Sequence, residues 1–76
     1  MLLRAKVLEY LEQNHLDFFA LKKNFDVRLD NLASELNYLL EAGYVTKTND
    51  LFILTDRGRE YLKVERAKNL KELIEV

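Results

Sequence analysis

Residues 36–62 read LNYLLEAGYVTKTNDLFILTDRGREYL, and this stretch decides the fold. Leu36, Leu39 and Leu40 lie on one side of a helix at about 100° per residue. Gly43 stands where that helix must stop, because glycine enters the left-handed conformation without a Cβ penalty. Two runs rich in β-branched and aromatic residues follow, Tyr44-Val45-Thr46-Lys47 and Leu51-Phe52-Ile53-Leu54, around polar Thr48-Asn49-Asp50. They predict a hairpin over 44–54. Thr55 then occupies an N-cap position, with Asp56 in the first turn, where the helix dipole favours a carboxylate. The last helix is expected over 55–75.

Working outward, Leu29, Leu32, Leu36, Leu39 and Leu40 form the apolar stripe of a helix over 28–42. Its polar side carries Asn31, Ser34, Tyr38 and Glu41, flanked by Asp30 and Glu35. Asp26-Val27-Arg28 reads as a tight turn before it. Asp17 is an N-cap candidate for a short helix over 17–25, with Leu16 as a staple residue and Leu21 and Phe25 on one face. Phe18 and Phe19 are adjacent, so one of them is expected inside and the other outside. At the start, Leu3, Val7, Leu8 and Leu11 recur at helical spacing, which predicts a helix over 1–14. The expected class is mainly α with a small β-hairpin, one domain over 1–76.

Composition limits the functions available. Seventy-six residues form one small domain with a marginal core, and no cysteine supplies a disulfide or zinc site to reinforce it. Absence of cysteine suits an intracellular, cytoplasmic setting. No apolar run approaches the roughly 20 residues of a membrane span, and the N-terminus is too charged for a signal peptide. There is no nucleophile elbow, phosphate-cradling glycine loop, HExxH or paired-carboxylate cleft, so no enzyme activity, cofactor or small-molecule ligand is expected. His15, the single histidine, has no recognisable metal-ligand set around it and reads as a helix-end or surface residue.

The order helix, helix, turn, helix, hairpin, helix resembles the winged helix-turn-helix superfamily, particularly small prokaryotic, archaeal or viral regulators of the MarR, PadR and ArsR kinds. Two motifs carry the resemblance. One is Leu39-Leu40-Glu41-Ala42-Gly43-Tyr44-Val45, and the other is Leu54-Thr55-Asp56-Arg57-Gly58 followed by Leu62. The resemblance implies a double-stranded DNA-binding transcription regulator whose third helix enters the major groove while the hairpin, or wing, rests on the backbone or minor groove. It implies groove-facing residues Arg28, Asn31, Ser34, Glu35 and Tyr38, and a wing tip of Lys47, Thr48 and Asn49. Lys22 and Lys23 are expected at phosphates.

Two features bear on partners. The last helix is long, and Val64, Ala67, Leu70, Leu73 and Ile74 read as an apolar stripe, buried either by a second copy in a homodimer or by folding back along the first helix. The charge is the other feature. Asp30, Glu35 and Glu41 stand where the resembled proteins commonly place Lys or Arg. From Asp17 to Asp50 there are four basic residues and six acidic ones, and the formal net charge is −1. Dedicated duplex binders are usually basic. The alternative is therefore a winged-helix protein-interaction module without DNA binding.

Overall fold

The computed structural model describes the backbone of residues 3–74 and the side chains of residues 3–68. Within them the chain is mainly helical, with four helices and one antiparallel hairpin. The order is α1 (Leu3–Gln13), α2 (Phe18–Lys23), α3 (Leu29–Glu41), β1 (Val45–Thr48), β2 (Leu51–Leu54) and α4 (Asp56–Ile74). Every element predicted from the sequence is present, each slightly shorter than its expected span. Leu70, Leu73 and Ile74 have side chains outside the described residues. No described helix is long and apolar enough to cross a membrane.

One core serves all the elements. Ala5, Val7, Leu8 and Leu11 enter it from α1, Leu32, Leu36 and Leu39 from α3, Val45, Phe52 and Leu54 from the hairpin, and Leu62 from α4. Leu21 comes from α2 and Phe25 from just beyond its end. Leu39 and Leu62 are fully buried. Burying one leucine side chain is worth about 1.5–3 kcal/mol, so these few residues supply most of the driving force in so short a chain.

The junction between α3, the hairpin and α4 is built from backbone geometry. Gly43 has φ +81°, and the helix ends in a Schellman arrangement. Tyr44 N–H donates to the Leu39 carbonyl at 3.0 Å and Gly43 N–H to the Leu40 carbonyl at 3.2 Å, satisfying two of the helix's orphan acceptors. Thr55 then does two jobs with one oxygen. Its hydroxyl donates to the Gly43 carbonyl at 2.7 Å and accepts from Gly58 N–H at 3.1 Å. Gly58 is required by crowding. A Cβ there would fall 2.2 Å from the Tyr44 carbonyl oxygen and 2.5 Å from Leu54 Cδ1.

Three expectations need correction, and Leu16 makes a contact beyond the one expected. The turn between the strands is Asn49-Asp50 alone, because Thr48 pairs with Leu51 as the last residue of β1. Both turn residues have positive φ, 50° and 66°, the primed geometry that matches strand twist in a two-residue hairpin. Helix α2 stops at Lys23, not at residue 25. Asn24 Nδ2 donates to the Ala20 carbonyl at 2.9 Å and ends the helix there. Leu16 is more than a staple residue. Its carbonyl accepts from Phe52 N–H at 2.8 Å, which bridges the α1–α2 connection to the outer edge of β2. Leu29 is 58 % exposed instead of lying in the stripe. As the first residue of α3, its side chain leans toward the N-terminus and overshoots the core.

Candidate nucleic-acid interface

Helix α3 separates its faces cleanly. With Leu32, Leu36 and Leu39 buried, the opposite side presents Asp30, Asn31, Ser34, Asn37 and Glu41, all exposed. Asn37 is the member of this face that the sequence expectation leaves out. The signal for it exists, since Asp30, Ser34, Asn37 and Glu41 follow one another at spacings of four, three and four residues, which keeps them on one helical face. The centre of this face is three short uncharged side chains, Asn31, Ser34 and Asn37. They can donate and accept hydrogen bonds without a charge to neutralise.

Glu35 and Tyr38 occupy the flank of that helix and are committed within the chain. Arg4 of α1 reaches across to hydrogen-bond Glu35, and its guanidinium carbon lies 3.9 Å from the centre of the Tyr38 ring. The Glu35 hydrogen bond raises the pKa of Arg4. From Tyr38 an aromatic seam continues. Its ring is 6.5 Å from that of Tyr44, which is 5.0 Å from Tyr61 of α4. Arg57 lies over the Tyr44 ring at 5.3 Å. Neither Arg4 nor Arg57 is predicted at this surface from sequence. Each is distant in the chain from the helix it flanks, and a charge count confined to Asp17–Asp50 leaves both out.

The other expected cations are arranged differently. Arg28 is exposed at the N-terminus of α3 and pairs with Asp30 at 3.3 Å, so the Asp30 charge is met locally. Lys22 Nζ reaches the Phe25 carbonyl at 3.5 Å, while Lys23 is exposed at the end of α2. Lys47 is exposed and reaches the turn. It shares the inward face of the hairpin with Val45, lies over the Phe52 ring at 5.5 Å and is 3.9 Å from Asp50. It lines a shallow cleft with Asp17, Phe18 and Phe19 of the α2 start. Thr48 and Asn49 are exposed, and Asn49 shares the turn with the Asp50 carboxylate.

Helix α4 is tied to α1 by Leu62 and by Arg66, whose two terminal nitrogens meet the Glu12 carboxylate at 2.8 and 3.2 Å. That hydrogen bond holds the Glu12 carboxyl below the usual glutamate range. Val64 and Ala67 lie on the outer side, Val64 being 51 % exposed. The positions 64, 67, 70 and 73 do not form a straight stripe. Each step of three residues stops about 60° short of a full turn, so a straight helix spreads them over roughly half its circumference. His15 is exposed beyond the end of α1. Among the described residues no three acidic, histidine or cysteine side chains cluster to hold a metal.

The residues brought together are thus Asn31, Ser34 and Asn37 on the outside of α3, with Glu35, Tyr38, Arg4 and Arg57 along one flank. Compared with known proteins, the chain matches no family model, and no curated protein matches it in sequence.

Proposed function

We propose that the chain is a winged-helix domain that binds duplex DNA, with α3 as the helix that enters the major groove. The observation that carries this reading is the outward row of Asn31, Ser34 and Asn37 on a rigid helix anchored by three buried leucines. Thirteen residues extend about 20 Å, and a B-form major groove is about 12 Å wide, so the helix can lie along it. Asparagine can pair bidentately with adenine N6 and N7, and serine can contact several base edges. The Arg4–Glu35 and Arg28–Asp30 pairs support the reading by neutralising two of the three carboxylates that argue against it. Glu41 remains at the far end of the row.

The regulator would act as a transcription factor, and self-association through Val64 and Ala67 would set the spacing of its half-sites. Fluorescence anisotropy on mixed-sequence duplexes at about 50 mM salt tests DNA binding directly. Binding is expected, and Asn31→Ala and Asn37→Ala should each change the preferred sequence at a cost of about 1–3 kcal/mol. No binding to any duplex at that salt rejects the reading. Light scattering on wild type and Val64→Glu tests the dimer, which the charge should dissociate.

A second reading has its own observation. Phe19 is 73 % exposed, at the cleft shared by α2 and the hairpin. A protein-interaction module would use this surface. Phe19→Ser abolishing partner capture, with α3 variants silent, would favour it.

A further inference from the structure

We infer that Arg4 and Arg57 form a phosphate-binding row along the Tyr38–Tyr44–Tyr61 seam, on the flank of α3. This rests on the duplex-binding reading and names the atoms bound, the backbone phosphates beside the groove that α3 enters. Arg4 reaches the middle of α3, where Glu35 and Tyr38 hold its guanidinium from two directions. Arg57 lies at the C-terminal end of α3. Its stem passes so close to the cap that a Cβ on Gly43 would be 3.7 Å from Arg57 Cδ. Arg4 lies over the Tyr38 ring and Arg57 over the Tyr44 ring, and the two rings are 6.5 Å apart.

Geometry distinguishes this row from ordinary surface charge. Glu35 is bonded through Arg4 Nε, and among the described residues the terminal nitrogens of Arg4 have no hydrogen-bond partner. Those nitrogens form the fork that fits a phosphate. The Arg4 side chain is 31 % exposed, so it is partly fixed yet still accessible. Stacking on an aromatic ring restricts a side chain that otherwise loses substantial rotamer freedom on binding. The flank also holds carboxylates. Glu60 and Glu65 line the same hollow as Arg57, and Glu65 lies 3.7 Å from Lys68. The expected contribution therefore comes from two oriented forks, and not from a diffuse positive field.

The test is the salt dependence of duplex binding by the full chain, read as the slope of log K against log salt. Removing one cation from a phosphate should reduce the slope by about 0.9 and weaken binding about eightfold at 0.1 M salt. Arg57→Gln and Arg4→Gln are each expected to do this, uniformly across sequences. Arg4→Lys should keep most of the slope, because it retains the charge. Arg59→Gln, outside the row, should leave the slope unchanged. A thermal melt of each variant separates weakened phosphate binding from impaired folding, and Arg57→Gln carries the test if Arg4→Gln is unstable. Wild-type binding with slopes unchanged in both glutamine variants overturns the row alone. Absence of wild-type binding to any duplex removes the underlying reading and the row with it.

Discussion

The junction at Gly43, Tyr44, Thr55 and Gly58 and the outer face of α3 lie in the same half of the molecule, yet they are determined in different ways. At the junction each residue type answers a backbone requirement: a positive φ, a free amide, a carbonyl pressed against a helix. On the outer face Asn31, Ser34 and Asn37 meet only solvent within the chain, and nothing in the fold demands those side chains. Residues fixed by stability and residues that the fold leaves unconstrained are thus separated along fewer than thirty positions.

The sharpest way to break this contrast is Gly58→Ala. A methyl group 2.2 Å from a backbone oxygen cannot be relieved by rotating a side chain, so a loss of about 3 kcal/mol or more is expected despite alanine's better helix propensity. In a domain of this size each 1 kcal/mol lowers Tm by about 4–8 °C, which a thermal melt resolves readily. Gly43→Ala should cost less, about 1–2 kcal/mol, because its surroundings are open and the penalty is the left-handed backbone alone. Equal losses at the two glycines would show that crowding does not govern the junction. Thr55→Ala removes both hydroxyl hydrogen bonds and should cost about 1 kcal/mol, with Thr55→Ser restoring most of it in urea unfolding.

A smaller, pH-dependent effect belongs to the Glu12–Arg66 pair. The folded carboxyl titrates below its unfolded value of about 4.3, so its contribution is present above that pH and disappears as pH falls through the folded value. Wild type and Glu12→Gln should therefore differ in Tm at pH 6 and converge in strong acid. A difference that persists there would assign it to packing. Smallest of all, alanine at Asn31, Ser34 or Asn37 should change stability by no more than about 0.5 kcal/mol each. A larger loss would mean that the outer face is structural after all.

The same division explains what the sequence makes legible. Glycine, threonine and leucine at fixed offsets specify caps and buried stripes locally, so the element order, the hairpin and the Thr55 cap can be read directly. Leu29 is misplaced by periodicity, which ignores the lean of side chains at a helix start. The pairing of the α3 carboxylates is hidden from the sequence for a different reason. Arg4 is 31 positions from Glu35, and only the folded chain brings them together. Lys47 is legible as a hairpin cation, but its approach to the Phe52 ring depends on strand register, which the sequence does not display.

The tyrosine seam has a practical consequence. The chain contains no tryptophan, so its intrinsic emission comes from four tyrosines, three of them in this one stack. Near-ultraviolet dichroism and tyrosine fluorescence therefore report chiefly on the place where α1, α3, β1 and α4 meet. Occupation of that flank would register optically in the unlabelled protein.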